Sequence, residues 1–597
     1  MITLQNIIFP EQSVCSEDGL YVRLNTSAAF HAGFGLRLQP GGTARFDTYF
    51  NALNIGKWHR ECDLDGLYLS LSGTGTFVLT VRQAEAGAPG APGAVMFQEE
   101  VTLEKSTEFL VDLSRYHRSP PSSLIHFELK ALTKSTFTGA AFLTNAALQA
   151  PPRLAVSITT FQREAEVQGT VRRLEKFLKT FDFKSHVHVF VVDNGHSAKI
   201  ANTKKVTCLQ NKNLGGAGGF ARGLLEAEKA GFSHCAFMDD DATFHLENIH
   251  RAYVFLALSR TSRAAVAGAM INNSTKWRLW ENGAVFNRVC RPVSGGTDLR
   301  DFDEILEMEQ KSSEERPFNF YGGWWFFAFP IAHVTHYPFP FFVRGDDINF
   351  SLTNDFRINV LNGVVSFQDG FSEKESPQFL YLDLRYHLVQ HLTIDGLEIS
   401  AISCARIALW FILRNAVKFQ YESCDALLLA WRDVMRGPGF FTENADMVAR
   451  RQDIDAMIKD EAWKPVAELD LRKRRRFNPN RLWFIPLRWA WKYTLNGHLF
   501  PFYNAWANRV VVPSVQRGWF KQVWGASRIT YLSHDRSKGY TVSQSKARFA
   551  GVVWQVFVTG LRFVAGYQKL RRVYKGQFAD MTSSAYWAQL LDIGPKK

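Results

Sequence analysis

The chain has 597 residues, 46% apolar and 21% charged, which excludes wholesale disorder and leaves room for several domains. Its formal net charge of +13 is unevenly spread: Leu471 to Asp580 carries 21 Lys/Arg against only Asp535 and Asp580, a net of +19, and the remainder sums to −6. Seven cysteines without a CxxC pair exclude a zinc ribbon and a disulfide framework and favour a reducing compartment. The first residues, MITLQNIIFPEQ, have no basic n-region before an apolar stretch, so no signal peptide is expected. The longest apolar run near the end, Phe549 to Leu561, is about 13 residues against the roughly 20 that span a bilayer. The expectation is a cytoplasmic protein without a transmembrane helix, a peripheral one on the inner face of the plasma membrane if the basic part docks there.

Residues 1–150 predict a β-sandwich, jelly roll or barrel. Leu67–Leu71 and Thr76–Val81 are rich in strand formers, turn clusters at Gly87–Gly93 and Ser119–Ser122 punctuate them, and no helix-period run of three turns occurs. At Pro151-Pro152 the pattern changes. Leu154–Thr159 reads as a strand, Val167, Val171, Leu174 and Leu178 as one face of a helix, and Val187–Val192 as a second strand. Asn213-Leu-Gly-Gly-Ala-Gly-Gly219 leads into another helix, and Cys235–Met238 is a further strand ending in Asp239-Asp-Asp241. This alternation predicts a parallel sheet over 151–395, with its ligand outside the carboxyl ends of the strands, where Thr160–Arg163, Asp193–Gly195 and Asp239–Asp241 fall. Residues 396–597 read as a mainly helical, basic domain, with helices at Ile402–Val417 and Ala426–Met435.

Three consecutive carboxylates after a buried strand are costly to place unless something neutralises them. A divalent metal holding a diphosphate does so, and alternation makes Asp239 and Asp241 the better ligand pair. The middle Asp240 is then left to a sugar, a ribose or a structural role, and a solvated capping loop is the plain alternative. The glycine cluster is no P-loop; it admits either a phosphate near the backbone or a helix lying close on the sheet. Gly323-Trp-Trp325 offers flat faces suited to a sugar ring, whereas Phe326, Phe327 and Phe329 read as core. Asp346-Asp347 opens a helix, as an N-cap with a first-turn acid or as a base for an acceptor hydroxyl.

Taken in order, Thr160-Phe-Gln-Arg163, Asp193-Asn-Gly195, Asn213–Gly219, Asp239–Asp241, Gly323-Trp-Trp325 and Asp346-Asp347 resemble family 2 glycosyltransferases of GT-A fold. The resemblance is nearest to bacterial galactofuranosyltransferases of cell-surface galactan synthesis, and Asp47–Leu53 and Trp58–Arg60 share it. It implies an inverting transferase moving galactofuranose from UDP-galactofuranose to a growing, lipid-linked polysaccharide. UDP-galactopyranose or dTDP-rhamnose as donor, or a non-catalytic glycan-binding protein on the same fold, are the alternatives. Thr160, Phe161, Arg163, Asp193, Asn194, Asn213, Gly215, Gly216, Asp239 and Asp240 would bind the nucleotide sugar. Asp239 and Asp241 would hold Mn²⁺ or Mg²⁺; Asp347 would be the general base, with Asp346 on the acceptor; Trp280, Glu281, Trp324 and Trp325 would line the acceptor groove. The sequence departs from the family's pattern where a metal-binding His is usual: Gln368 takes that position, with Asp369 beside it, and Asp383 stands where a second His is usual.

Arg472-Lys-Arg-Arg-Arg476 alone reads as a solvated face. The basic window also holds Trp483, Phe484, Trp489, Trp491, Tyr493, Trp519, Trp524 and Trp554. Rings among cations suit an anionic membrane surface, and a lipid-linked glycan acceptor would explain the need for one. No helix-turn-helix, zinc finger or RNP-type signature is present, so nucleic acid is not expected as a partner. A homo-oligomer is compatible with the sequence.

Overall fold

The computed structural model of the protein describes residues 1–593 other than 88–89, 91–92, 106, 117–122, 149–150, 242, 371–374 and 479–484. Parts of the turn cluster at 87–93, the one at 119–122, and Trp483 and Phe484 lie outside the described residues.

The N-terminal region forms an antiparallel sheet. The 17-residue strand Tyr68–Ala84 sits at its centre and pairs with Leu124–Ala131, Ser135–Thr144 and Ala94–Leu103. Alternate residues Leu69, Leu71, Phe77, Leu79 and Val81 are buried, the period-two pattern of a strand with one face on a core. One helix, Ile55–Glu61, interrupts it, capped by Asn54 accepting from the Lys57 N–H. Lys57, fully buried, reaches Glu309 at 2.7 Å and ties this region to the next.

The central sheet has the order Val206–Gln210, Val187–Asp193, Leu154–Thr160, His234–Asp239, Phe327–Pro330, Ala264–Asn272, Arg357–Gln368, Thr243–Phe244. The first four strands are mutually parallel; Phe327–Pro330 runs antiparallel to both neighbours. Chain order reverses direction between Leu154–Thr160 and His234–Asp239, which opens a crevice at their carboxyl ends. Helix Glu164–Thr180 buries Val167, Val171, Leu174 and Leu178, the face its sequence predicts. Helix Gly215–Lys229 lies close on the sheet because its glycines face Ser157 and Thr159; a Cβ at Gly223 would collide with Ser157 Oγ.

Helices Pro377–Thr393, Ala401–Ala416, Tyr421–Met435 and Lys546–Met581 pack together beyond this sheet. Two features differ from the sequence reading. Between the last two helices the chain folds a four-stranded sheet, Lys464–Pro465, Lys538–Ser543, Ala526–Leu532 and Asn508–Pro513, so the C-terminal part is not helical throughout. Its strands are short, and burial does not alternate strictly along them, so no period of two marks them in the sequence. The apolar run at 549–561 also continues through Arg562 into a 36-residue helix, long and apolar enough by length and composition to cross a bilayer. Phe549, Val552, Thr559, Phe563, Tyr567, Tyr574 and Phe578 form its buried stripe, and most of its remaining surface is exposed. Of the expected aromatic belt, Trp491 is fully buried in a small core with Tyr503 and Ala507, and Trp524 packs against it; Trp489, Tyr493, Trp519 and Trp554 are exposed.

Candidate active site

The crevice is built first by two strand ends. Thr159 stands opposite Asp239 in the parallel register, so the turns after both strands emerge side by side. Asp240 is buried; its Oδ2 accepts from Thr160 Oγ1 at 2.7 Å and its Oδ1 from Arg163 Nη1 at 3.0 Å. The same Nη1 lies 2.6 Å from Asp241 Oδ2. Burial raises the Asp240 pKa against the opposing pull of Thr160 and Arg163. The middle acid thus has a structural engagement, one of the roles its position allowed. Asp239 Oδ2 accepts from Gln368 Nε2 at 3.3 Å, so the residue that replaces the expected His stands beside the first acid.

The next loops are tied to one another. Asp193 accepts from the N–H groups of Gly195 (3.0 Å) and Ala198 (2.8 Å), closing its own turn. Asn194 donates to Gly215 O at 3.0 Å and accepts from Asn211 at 2.8 Å, while Asn213 accepts from the Gly215 N–H at 3.1 Å. These contacts fix the start of the glycine helix, whose Gly216 faces the loop bearing Asp346.

The other wall is helix Asp346–Thr353. Gly345 is its N-cap, at φ +79°, and a Cβ there would overlap the Tyr386 ring. The sequence left Asp346 as a candidate N-cap; instead both acids occupy the first turn. Burial, then the charges of Asp347 and Asp239, raise the Asp346 pKa well above the carboxylate range. Burial pushes Asp347 up to about 6, with the Ile348 N–H and Arg344 pulling against it. Glu281 rises to about 8 from burial and from Asp347, and its Oε1 has no partner among the described residues. Arg344 pairs with Asp383 at 2.7 Å and lies 4.2 Å over the Phe379 ring.

A cavity of about 770 Å³ joins these groups. It brings together Arg163, Gly216, Asp239, Asp240, Asp241, Trp280, Glu281, Trp324, Trp325, Asp346, Asp347 and Gln368. Thr160, Phe161, Asp193, Asn194, Asn213 and Gly215 stand outside its wall, the first and the last four as supports of the loops that form it. Both tryptophans are buried despite being adjacent. Trp325 Nε1 donates to Gly268 O at 2.8 Å, and Trp324 packs edge-on against Phe220, Phe237 and Phe350, so each is core on one side and cavity wall on the other. Residues the sequence reading missed come from helix Pro377–Thr393 (Tyr386 and His387) and helix Ala401–Ala416 (Trp410, Phe411 and Arg414). Trp410 and Arg414 are one turn apart with the guanidinium 5.4 Å from the ring, and that i,i+4 spacing was the available signal.

Seven carboxyl groups (Asp239, Asp240, Asp241, Glu281, Asp346, Asp347, Asp383) line the cavity against three guanidinium groups, Arg163, Arg344 and Arg414. The surplus of acid and the all-oxygen donor set of Asp239, Asp241 and the Gln368 amide suit a hard divalent cation. Among the described residues no group of three His, Cys, Asp or Glu side chains is placed to hold a metal ion, and Arg163 engages Asp241, so binding would have to loosen that pair.

No family model matches the chain. It is 25% identical over 434 residues to galactofuranosyltransferase GlfT2 of Mycolicibacterium smegmatis, covering 68% of this chain and 65% of that one, just under two thirds. To the protein of the same name from Mycobacterium tuberculosis it is 22% identical over 634 residues, covering 96% of this chain and 94% of that one. Among solved structures, a mannosyltransferase of Pyrobaculum calidifontis in complex with GDP-Man and Mn²⁺ matches with 15% identity and a TM-score of 0.27, over 53% of this chain and 84% of that one. The chain resembles galactofuranosyltransferases, as its ordered motifs indicate.

Proposed function

We propose that the protein is an inverting glycosyltransferase of family 2 and GT-A fold. In this reading it transfers galactofuranose from UDP-galactofuranose to a hydroxyl of a growing, lipid-linked surface glycan. The observation that carries it is the meeting of the Asp239–Asp241 turn and the Asp346–Asp347 pair in one acidic cavity walled by Trp324 and Trp325. Asp347, ionised at neutral pH but raised toward it, accepts the acceptor hydroxyl proton as that oxygen attacks the anomeric carbon and the bond to UDP breaks. Asp346, kept protonated by burial, donates to an acceptor oxygen. Trp324 and Trp325 orient the sugar, and Arg163 faces the departing diphosphate. A Mn²⁺ or Mg²⁺ ion on Asp239, Asp241 and Gln368 would supply neutralisation of the leaving group when bound.

The domain reading that goes with it is a β domain over 1–150, a transferase domain over 151–395 and a basic domain over 396–597 that meets an anionic membrane. Exposed Val553, Trp554, Phe557, Leu561 and Val564 on one long helix, with Lys569, Arg571 and Arg572 following, support the last part. The test of the transfer is a panel of nucleotide sugars with Mn²⁺ or Mg²⁺ and a galactan-type acceptor, read as UDP release. Turnover with UDP-galactofuranose is expected. Preference for UDP-galactopyranose or dTDP-rhamnose would correct the donor, and no release from any of them would overturn the reading. Flotation should favour anionic over zwitterionic vesicles; equal recovery would remove the membrane part.

A further inference from the structure

The C-terminal sheet holds a second, oppositely charged cavity. Its edge strand, Asn508–Pro513, pairs on the inner side with Ala526–Leu532. On the outer side it receives the basic run 472–476. The Arg474 N–H donates to Arg509 O at 3.1 Å and the Arg509 N–H to Arg474 O at 2.7 Å. The buried Asn508 clamps that run: its Oδ1 accepts from the N–H groups of Arg476 (2.8 Å) and Phe477 (3.1 Å), and its Nδ2 donates to Phe477 O at 2.8 Å. The Arg474 guanidinium is used on the carbonyls of Asn504 and Ala507. What remains is a cavity of about 320 Å³ walled by Lys473, Arg475, Arg509 and Lys521, with Asn508, Gln522 and the valines of the strand.

Among the described residues no acid lines this cavity. Asp470, the acid of the same segment, is taken by Arg472 at 2.8 Å and Arg528 at 3.1 Å. Among the described residues, none of the four lining cations forms an ion pair, and Arg475 donates only to Asn478. The clamps hold the run of Lys473 and Arg475 against the strand of Arg509, and Lys521 lines the same cavity. Four like charges in one cavity repel one another unless a multivalent anion joins them. Two guanidinium forks and two ammonium groups match an oxygen-rich dianion, above a floor of Val510, Val511 and Val512.

We propose that this cavity binds a phosphate monoester or diphosphate group. The proposal stands on the C-terminal sheet alone and does not depend on the transfer reading. The phosphoryl group belongs either to a lipid headgroup or to a soluble anion. Trp519, 60% exposed two residues before Lys521, is placed to rest in a lipid surface.

The test uses the full-length protein in excess EDTA, so that the acidic cavity holds no cation to recruit diphosphate. Inorganic diphosphate is titrated calorimetrically. Saturable one-site binding is expected, weakened about tenfold or more in Arg509→Gln and in Lys521→Gln, with UDP release and melting temperature unchanged. Lys569→Gln, which removes an exposed cation outside the cavity, should bind as the parent does. Absence of saturation at millimolar diphosphate, or an equal loss in Lys569→Gln, would overturn the proposal. Vesicles of phosphatidic acid and vesicles of equal charge made from phosphatidylglycerol then distinguish the source. A preference for the monoester lipid that Arg509→Gln abolishes identifies a headgroup; tight diphosphate binding without that preference identifies a soluble anion.

Discussion

Replacing Asp347 by Asn should cut turnover steeply and stabilise the fold at neutral pH. Burial lifts this carboxyl from the ordinary carboxylate range to about 6, so the folded state binds its proton more tightly than the unfolded chain does. Such a group weakens folding as pH rises from about 4 to about 6, and the full penalty is present at pH 7. At about 1.4 kcal/mol per tenfold change the unscreened cost is about 3 kcal/mol. The side chain is partly open to the cavity, so about 1–2 kcal/mol is the realistic gain from Asn. Turnover should fall by about 10²–10⁴ if the carboxylate accepts the proton. Parent and variant are to be compared by UDP release and by thermal melts from pH 4 to pH 8. The melting difference should be near zero at pH 4 and widen toward pH 7, and the parent's rate should drop below about pH 6. A variant that turns over at the parent's rate would refute the proton-accepting role, and one that loses activity and melts lower at every pH would mean that Asp347 holds structure rather than a proton.

Asp239→Ala combined with Asp241→Ala should lose Mn²⁺-dependent UDP binding by calorimetry; unchanged affinity in EDTA would show that no cation bridges the diphosphate. Gln368→Ala, which removes the amide 3.3 Å from Asp239, should raise the Mn²⁺ concentration needed for half-maximal rate several-fold and leave the melting curve in place. Gly345→Ala forces a Cβ into the Tyr386 ring at φ +79° and should cost about 1–3 kcal/mol in chemical denaturation while lowering kcat through the displaced Asp346–Asp347 turn. A Gly345→Ala protein as stable and active as the parent would show that the loop relaxes freely.

Much of the candidate site's placement was legible because parallel α/β patterning puts polar clusters at strand ends. The turns at 160–163 and 239–241 do meet, at the point where strand order reverses. The acids at 346–347 were visible as residue types, but only the φ of Gly345 shows that both enter the first turn. The glycine cluster was ambiguous for a physical reason: Gly219 and Gly223 serve helix–sheet contact, whereas Gly216 reaches the cavity, and one composition hides both tasks. Trp491 was misread because aromatic residues among cations look alike whether they face solvent or fill a small core. The strands at 508–543 were missed because they are six or seven residues long and buried without strict alternation, so no period of two appears.

The basic C-terminal part is not an appendage to the acidic cavity. Helix Ala401–Ala416 carries Trp410, Phe411 and Arg414 into the cavity wall, and Lys418 lies just beyond its end. Lys418, Arg414 and Arg517 converge on Glu375, at 3.8, 3.5 and 3.3 Å, and Arg517 also reaches Glu461 at 3.1 Å. Burial works to raise the Glu375 pKa, yet the three cations together hold it below the usual range, while burial drives Lys418 down to about 7. Such a network is weak as a source of net stability but expensive to break, about 3–5 kcal/mol when one partner is removed. Its effect is geometric. It locks residue 517, in the segment that leads to Trp519 and Lys521, to the helix that lines the cavity. Whatever fixes the segment at 517–521 therefore also fixes the wall formed by Trp410, Phe411 and Arg414.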